Sequence, residues 1–248
     1  MPREMKFPMP MFGKDYIVHV MCACEKKAYD KEQEHRQRRD FEDMVARNRS
    51  VCFSEKQMYK WSFEKDNGSV PAMEKAKAYV DEWDRVLKKN IGLLLWGGVG
   101  SGKTFMAAAI ANALLDQGYK VLMRDFAQIS NISVFDSEEY VKSLSDYSLL
   151  ILDDLGAERK SEFAMQNVFN VINRRWESGK PLIVTTNLTL AEMKAKENLQ
   201  ELRIYDRIFS MCTPLCVNGE SKRLETGEQN KKVLKEVFNN AEQRGMQF

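Results

Sequence analysis

Residues 91–104, IGLLLWGGVGSGKT, decide the fold class of this chain. The first six are an apolar run of strand length. The next eight, Gly97-Gly98-Val99-Gly100-Ser101-Gly102-Lys103-Thr104, fit G-x-x-x-x-G-K-[ST] without mismatch. An Ala-rich stretch of helix length, FMAAAIANALL, follows at 105–115. Strand, glycine loop and helix in this order make a phosphate cradle. Glycines let successive backbone N–H groups turn toward phosphate oxygens, and the helix N-terminus adds a dipole that favours an anion. Lys103 is then placed to neutralise the β- and γ-phosphates of a nucleotide, and Thr104 to offer a hydroxyl oxygen to Mg²⁺.

Outward from this block the pattern alternates. Further apolar strands are expected at 119–123 (YKVLM), 148–152 (SLLIL), 181–185 (PLIVT) and 213–217 (TPLCV), with helices at 103–117, 126–144, 161–178 and 190–210. Short buried strands separated by helices imply an α/β fold whose parallel sheet is covered on both faces. Upstream, 71–89 carries apolar residues at helical spacing, and 50–70 reads as a linker with aromatic anchors at Tyr59, Trp61 and Phe63. Residues 25–49 are dense in charge and predict an exposed helix with a thin apolar stripe, preceded by a strand within YIVHVMCAC (16–24). The organisation expected is a small, mainly helical N-terminal region over 1–70 and a nucleotide-binding domain over 71–248.

In an α/β sheet the C-terminal strand ends face the ligand crevice. Asp153 and Asp154 close the run Leu149–Leu152, so Asp153 is placed to hold Mg²⁺ and Asp154 to orient or deprotonate water. An ordinary turn after the strand is the other reading of that pair, and it loses ground beside a phosphate loop. Asn187 follows Leu182–Thr186, where an amide can contact both a γ-phosphate and a water; it can equally cap the next helix. Arg203 and Arg207 share one helix face, and Arg223 follows the last strand. Residue type alone leaves each of them open between a surface arginine and a phosphate ligand.

Composition excludes several classes. The 248 residues are 44% hydrophobic and 30% charged, which suits a packed domain and not a wholly disordered chain. Lys plus Arg number 38 against 36 Asp plus Glu, so the net charge of +2 gives no field for coating nucleic acid. The apolar run 105–111 is far shorter than the ~20 residues that span a bilayer, and no secretory leader is read at the start, so a cytoplasmic location is expected. Five scattered cysteines (22, 24, 52, 212, 216) then predict reduced thiols, Cys212 and Cys216 as small buried hydrophobes.

GLLLWGGVGSGKT, LLILDDLGAE, GKPLIVTTNL and RIYDRI, in this order, resemble the DnaC/DnaI-type helicase loaders and the related IstB-type transposition helpers, which are AAA+ P-loop NTPases. The resemblance covers about residues 71–224, with weaker echoes toward Cys22-Ala23-Cys24-Glu25-Lys26. It implies ATP and Mg²⁺ held by Gly97–Thr104 with Asp153 and Asp154 as the acidic motif and Asn187 as sensor 1. Arg207 takes the place of the arginine finger that completes a neighbour's site, with Arg203 as its rival, and Arg223 that of sensor 2. It implies slow ATP hydrolysis used as an assembly and release switch. The partners implied are a hexameric replicative helicase gripped by the N-terminal region, single-stranded DNA, and other copies of the chain; no membrane is involved. The short tail after Arg223 agrees with a compact form lacking a full C-terminal lid. Where relatives carry a zinc module, Cys22 and Cys24 are only a partial motif, so zinc is not expected. Arg124, Phe126, Phe135, Tyr140 and Lys142 lie where such proteins place DNA elements, although core packing explains Phe126 and Tyr140 equally well. The chain is expected to be of bacterial or phage origin. Two alternatives stay open: a transposition helper ATPase acting on duplex DNA, and a nucleotide-gated adaptor without significant turnover.

Overall fold

Leu93, Leu94 and Leu95 are all buried, and alternation sends Leu93 and Leu95 to one face of a sheet and Leu94 to the other. A computed structural model describes residues 3–6, 17–66, 68, 70–131, 137–156, 161–219, 227 and 230–238. Contacts divide the chain into two compact units, Met1–Arg47 and Asn48–Phe248.

The first unit opens with β1 (Arg3–Lys6) and β2 (Ile17–Val20), paired antiparallel with Arg3 opposite Val20. Helix α1 (Ala23–Cys52) follows and spans the boundary between the units. Its start is a reciprocal cap: the Cys22 N–H donates to the Glu25 carboxylate (2.8 Å) and the Glu25 N–H to Cys22 Sγ (3.3 Å). Most of α1 up to residue 43 is exposed, as its charge density predicts. The expectation of five reduced thiols is corrected here. Cys22 and Cys24 are joined as a disulfide, their Cα atoms 5.4 Å apart and within bridging range.

The second unit holds a five-stranded, wholly parallel sheet of β3 (Gly92–Trp96), β4 (Val121–Asp125), β5 (Leu149–Leu155), β6 (Leu182–Thr186) and β7 (Cys212–Cys216), in the order β4-β5-β6-β3-β7. One face carries Leu93, Leu95, Val121, Met123, Ile151 and Ile183 against α2 (Ala72–Asp81), α3 (Trp83–Lys89) and α4 (Lys103–Asp116). Ala107, Ala108, Ala109 and Ala111 are fully buried in α4, whose small side chains suit close packing. The opposite face carries Leu94, Leu122, Leu150, Leu152 and Val184 against α5 (Phe126–Ser130), α7 (Glu162–Ser178) and α9 (Leu199–Met211). Two shorter helices, α6 (Ser137–Ser143) and α8 (Leu190–Lys194), complete the described set before a helical stretch over 230–238. No described helix is long and apolar enough to cross a membrane.

Three expected helices are interrupted. The 71–89 helix breaks at Glu82 between α2 and α3. The 126–144 helix ends at Ser130 after an Asp125/Gln128 capping box, and α6 begins at Ser137. The 190–210 helix restarts at Leu199 because the Asn198 side chain accepts from the N–H groups of Gln200 and Glu201. Cys212 is buried, with its Sγ–H donating to the Leu182 carbonyl, whereas Cys216 is only half-buried. Cys52 is buried too, and burial pushes its thiol up to about 12.

The stretch read as a linker is fastened to the sheet domain. Cys52, Phe53 and Val70 are core residues, and Met58, Tyr59, Trp61 and Phe63 pack against them. Asn112, buried in α4, donates through Nδ2 to the carbonyls of Met58 (2.8 Å) and Trp61 (2.9 Å) and accepts from Arg49 Nε (3.0 Å). Arg124 donates to the carbonyls of Val51 and Cys52, and so closes the C-terminal end of α1. Phe126 is fully buried, Tyr140 packs on the core, Lys142 is exposed, and Phe135 lies outside the described residues. On the far face the buried guanidinium of Arg175 donates to the carbonyls of Leu144, Tyr147, Ser148 and Pro181, and burial lowers its pKa to about 9. Asn112→Leu leaves two carbonyls unpaired and is expected to cost about 2–3 kcal/mol. Urea unfolding should show a lower midpoint at unchanged slope.

Candidate nucleotide site

Every strand of the sheet runs the same way, so β3, β5, β6 and β7 end on one edge. The loop 97–102 leaves β3 there. Gly97 sits at φ +151°, and a Cβ on it would meet the Val217 carbonyl oxygen at 2.4 Å. The same segment is tied down by the Val217 N–H, which donates to the Trp96 carbonyl (2.8 Å). Gly102, at φ +95°, is the N-cap of α4 and turns the chain into the helix that begins with Lys103.

Lys103 is only 7% exposed and points back over the loop. Its Nζ donates to the carbonyls of Gly97 (3.0 Å) and Gly98 (2.7 Å) and lies 3.4 Å from Ser101 Oγ. Among these contacts the ammonium meets neutral acceptors, which an anionic phosphate oxygen would outcompete. Val99 stands exposed at the loop's tip.

Beside the loop, Asp153 is bound by two hydroxyls. Thr104 Oγ1 donates to Asp153 Oδ1 (3.2 Å), and Thr185 Oγ1 donates to the same oxygen (2.5 Å). Burial pushes the Asp153 carboxyl up from its ordinary value. The two hydroxyls pull it back in part, while Asp154 and Asp125 push it the same way as burial. A cation between Thr104 and Asp153 would relieve that burial cost, and hard oxygen donors of this kind suit Mg²⁺. The donor set fits that ion.

Asp154 lies within β5 rather than after it, at a register irregularity between Leu152 and Leu155. Its φ of +62° is a left-handed conformation that a non-glycine residue adopts at some cost. Two bonds hold it there: its N–H donates to Thr185 Oγ1 (2.9 Å), and its Oδ1 accepts from Asn187 Nδ2 (3.0 Å). The sequence reading passed over Thr185. Its hydroxyl serves both acidic residues, and only the β5–β6 register, with Leu152 opposite Val184, brings it to them.

Lys103, Thr104, Asp153, Asp154 and Asn187 thus share one crevice. Arg207 does not join them. Its guanidinium lies on α9 over the rings of Trp176 (4.5 Å) and Phe169 (5.8 Å) of α7. Arg203, one turn away, is exposed. Arg223 lies outside the described residues.

The model of the IstB-like ATP binding proteins matches residues 25–230. The replicative helicase loader DnaI of Bacillus subtilis (strain 168) is 31% identical over 150 residues, 54% of this chain and 48% of its own length. The replicative helicase loader DnaC of Escherichia coli (strain K12) is 32% identical over 149 residues, 57% of this chain and 58% of its own length. The chain thus spans between about half and three fifths of these curated relatives. A crystal structure of DnaI superposes with a TM-score of 0.58 at 25% identity, over 71% of this chain and 99% of that one. Phosphate loop, acidic strand end, sheet order and sequence match agree: this chain belongs to the family of IstB-like ATP-binding proteins, with the α/β P-loop fold of the DnaC/DnaI type.

Proposed function

We propose that this chain is an ATP-driven helicase loader, which binds a replicative helicase and single-stranded DNA and uses ATP hydrolysis as its switch for release. The observation that carries the reading is the convergence of Lys103, the Thr104–Asp153–Thr185 cluster and the Asp154–Asn187 pair on one sheet edge. Its likeness to two curated helicase loaders supports the choice of partner.

Each residue has a part. Lys103 leaves the carbonyls of Gly97 and Gly98 and binds phosphate oxygens. Backbone N–H groups of residues 98–104 surround those oxygens at the head of α4. Thr104 and Asp153 hold Mg²⁺, with Thr185 fixing the carboxylate that does so. Asp154, steered by Asn187, orients the attacking water and takes its proton. ATP brings the phosphoanhydride bond that is cut, and Mg²⁺ the charge that neutralises its oxygens. Arg207 sits away from its own crevice, which favours a finger given to the next copy, with assembly and turnover coupled. Arg223 is proposed as the sensor-2 arginine by resemblance alone.

One alternative is a transposition helper whose partners would be a transposase and duplex DNA, which the IstB-like family description fits as well. Steady phosphate release above that of a Lys103→Ala control would exclude a second alternative, a nucleotide-gated adaptor without turnover. Capture from host lysate in the presence of ATP separates the two partner classes. The loader reading expects the replicative helicase, retained by the full chain and lost from a chain beginning at residue 48. That cut preserves the Phe53, Met58 and Trp61 anchors. Recovery of a transposase without helicase would move the reading to the alternative.

Thr185→Val keeps the shape of the side chain and removes both hydrogen bonds. It should weaken Mg²⁺-dependent nucleotide binding by about tenfold while Mg²⁺-free binding is unchanged, as titrations of a fluorescent nucleotide would show. Arg207→Ala should bind ATP normally and fail to turn it over. Mixing it with Lys103→Ala protein should restore phosphate release, because each variant supplies what the other lacks.

A further inference from the structure

Arg207 forms no ion pair among the described residues, although Asp206 is its neighbour in sequence. Its guanidinium instead lies 4.5 Å over the ring of Trp176 and 5.8 Å from that of Phe169. These two rings are seven residues apart on α7, two turns along one face. Trp176 is 49% exposed, which is high for so large an apolar side chain.

The difference between an ion pair and a stack decides what the arginine can do. A carboxylate takes up the N–H edge of a guanidinium, where all five donors lie. An aromatic ring takes up only the flat face and leaves that edge unspent. A stacked arginine is ordered, charged and still able to donate to an incoming phosphate, and its rotamer entropy is lost before the ligand arrives. A half-exposed tryptophan contributes little to the core, so its service here is to the cation.

We propose that Trp176, with Phe169 as the second ring, is a positioning residue for Arg207. The two form an aromatic shelf on α7 that holds the guanidinium ready for the nucleotide of a second copy of this chain. The inference rests on the reading of Arg207 as a finger supplied in trans. Trp176 stands on α7 beside Arg207 and is not one of the residues that line the phosphate crevice, so its removal should act on turnover through Arg207 and leave nucleotide binding alone.

The test uses the full chain and steady-state phosphate release. Trp176→Ala should lower kcat about fivefold with the ATP Kd unchanged, and Trp176→Tyr, which restores a ring face, should recover most of the loss. The decisive arm is complementation of Arg207→Ala, which lacks a finger, by a donor without its own ATP site. Lys103→Ala as donor should restore activity, and Lys103→Ala/Trp176→Ala should restore about fivefold less. Lys103→Ala mixed with Trp176→Ala, in which the shelf is missing only from the copy that hydrolyses, should reach full complementation. Failure of the first donor would overturn the trans finger itself. Equal rescue by both donors, or a Trp176→Tyr variant no better than Trp176→Ala, would overturn the shelf and leave the finger standing.

Discussion

The parallel pairing of β3 between β6 and β7 is the constraint on which the rest of the second unit depends. Backbone hydrogen bonds fix Trp96 opposite Thr186 on one side and Cys216 on the other. Because all strands run in one direction, their C-terminal ends meet on one edge, and there the chain leaves the ladder with unspent N–H groups and polar side chains. Val217 closes over Gly97 from β7, while Thr185 and Asn187 arrive from β6. A shift of one residue in the neighbouring β5–β6 register, which sets Leu152 opposite Val184, would point Thr185 to the other face of the sheet and leave Asp153 with one hydroxyl instead of two.

The site concentrates cost. Asp153 is held in a buried position beside Asp154, and Asp154 takes a left-handed backbone inside a strand. Lys103 is nearly buried against neutral carbonyls. Such features persist where the surrounding structure fixes them and where a ligand relieves them. Two buried leucine-rich layers supply the rigidity. The second of them is braced by Arg175, a charge with four carbonyl oxygens as its partners. Phosphate and cation would each answer one of these costs, which ties the chemistry of the crevice to nucleotide occupancy.

Most of the fold was legible because its signals are local. Leucine runs of strand length and the glycine loop were read directly, and the five strands of the parallel sheet lie within two or three residues of those read, whereas β1 was not read. The misses have different causes. Asn198 acts as a cap inside a stretch whose apolar spacing suggested a single helix. The stretch 50–70 reads as a linker with aromatic anchors, and those anchors do pack on the core; the polar restraint on it, Asn112, lies about fifty residues downstream and has no local signal. The Cys22–Cys24 disulfide also escaped, since an odd number of scattered cysteines was read as reduced thiols throughout.

The sequence by itself determined the phosphate loop, because spacing along one strand–loop–helix unit sets it without reference to distant residues, and it offered Asp153, Asp154 and Asn187 as residues at the ends of two further apolar strands. Only the tertiary structure decided that Thr185 serves both aspartates, since that depends on which strand pairs with β5 and in what register. It also decided that Arg207 rests on Trp176 and away from its own crevice. Helical periodicity put Arg203 and Arg207 on one face, but the packing of α9 on α7 is a contact between elements roughly thirty residues apart, and no local pattern encodes it.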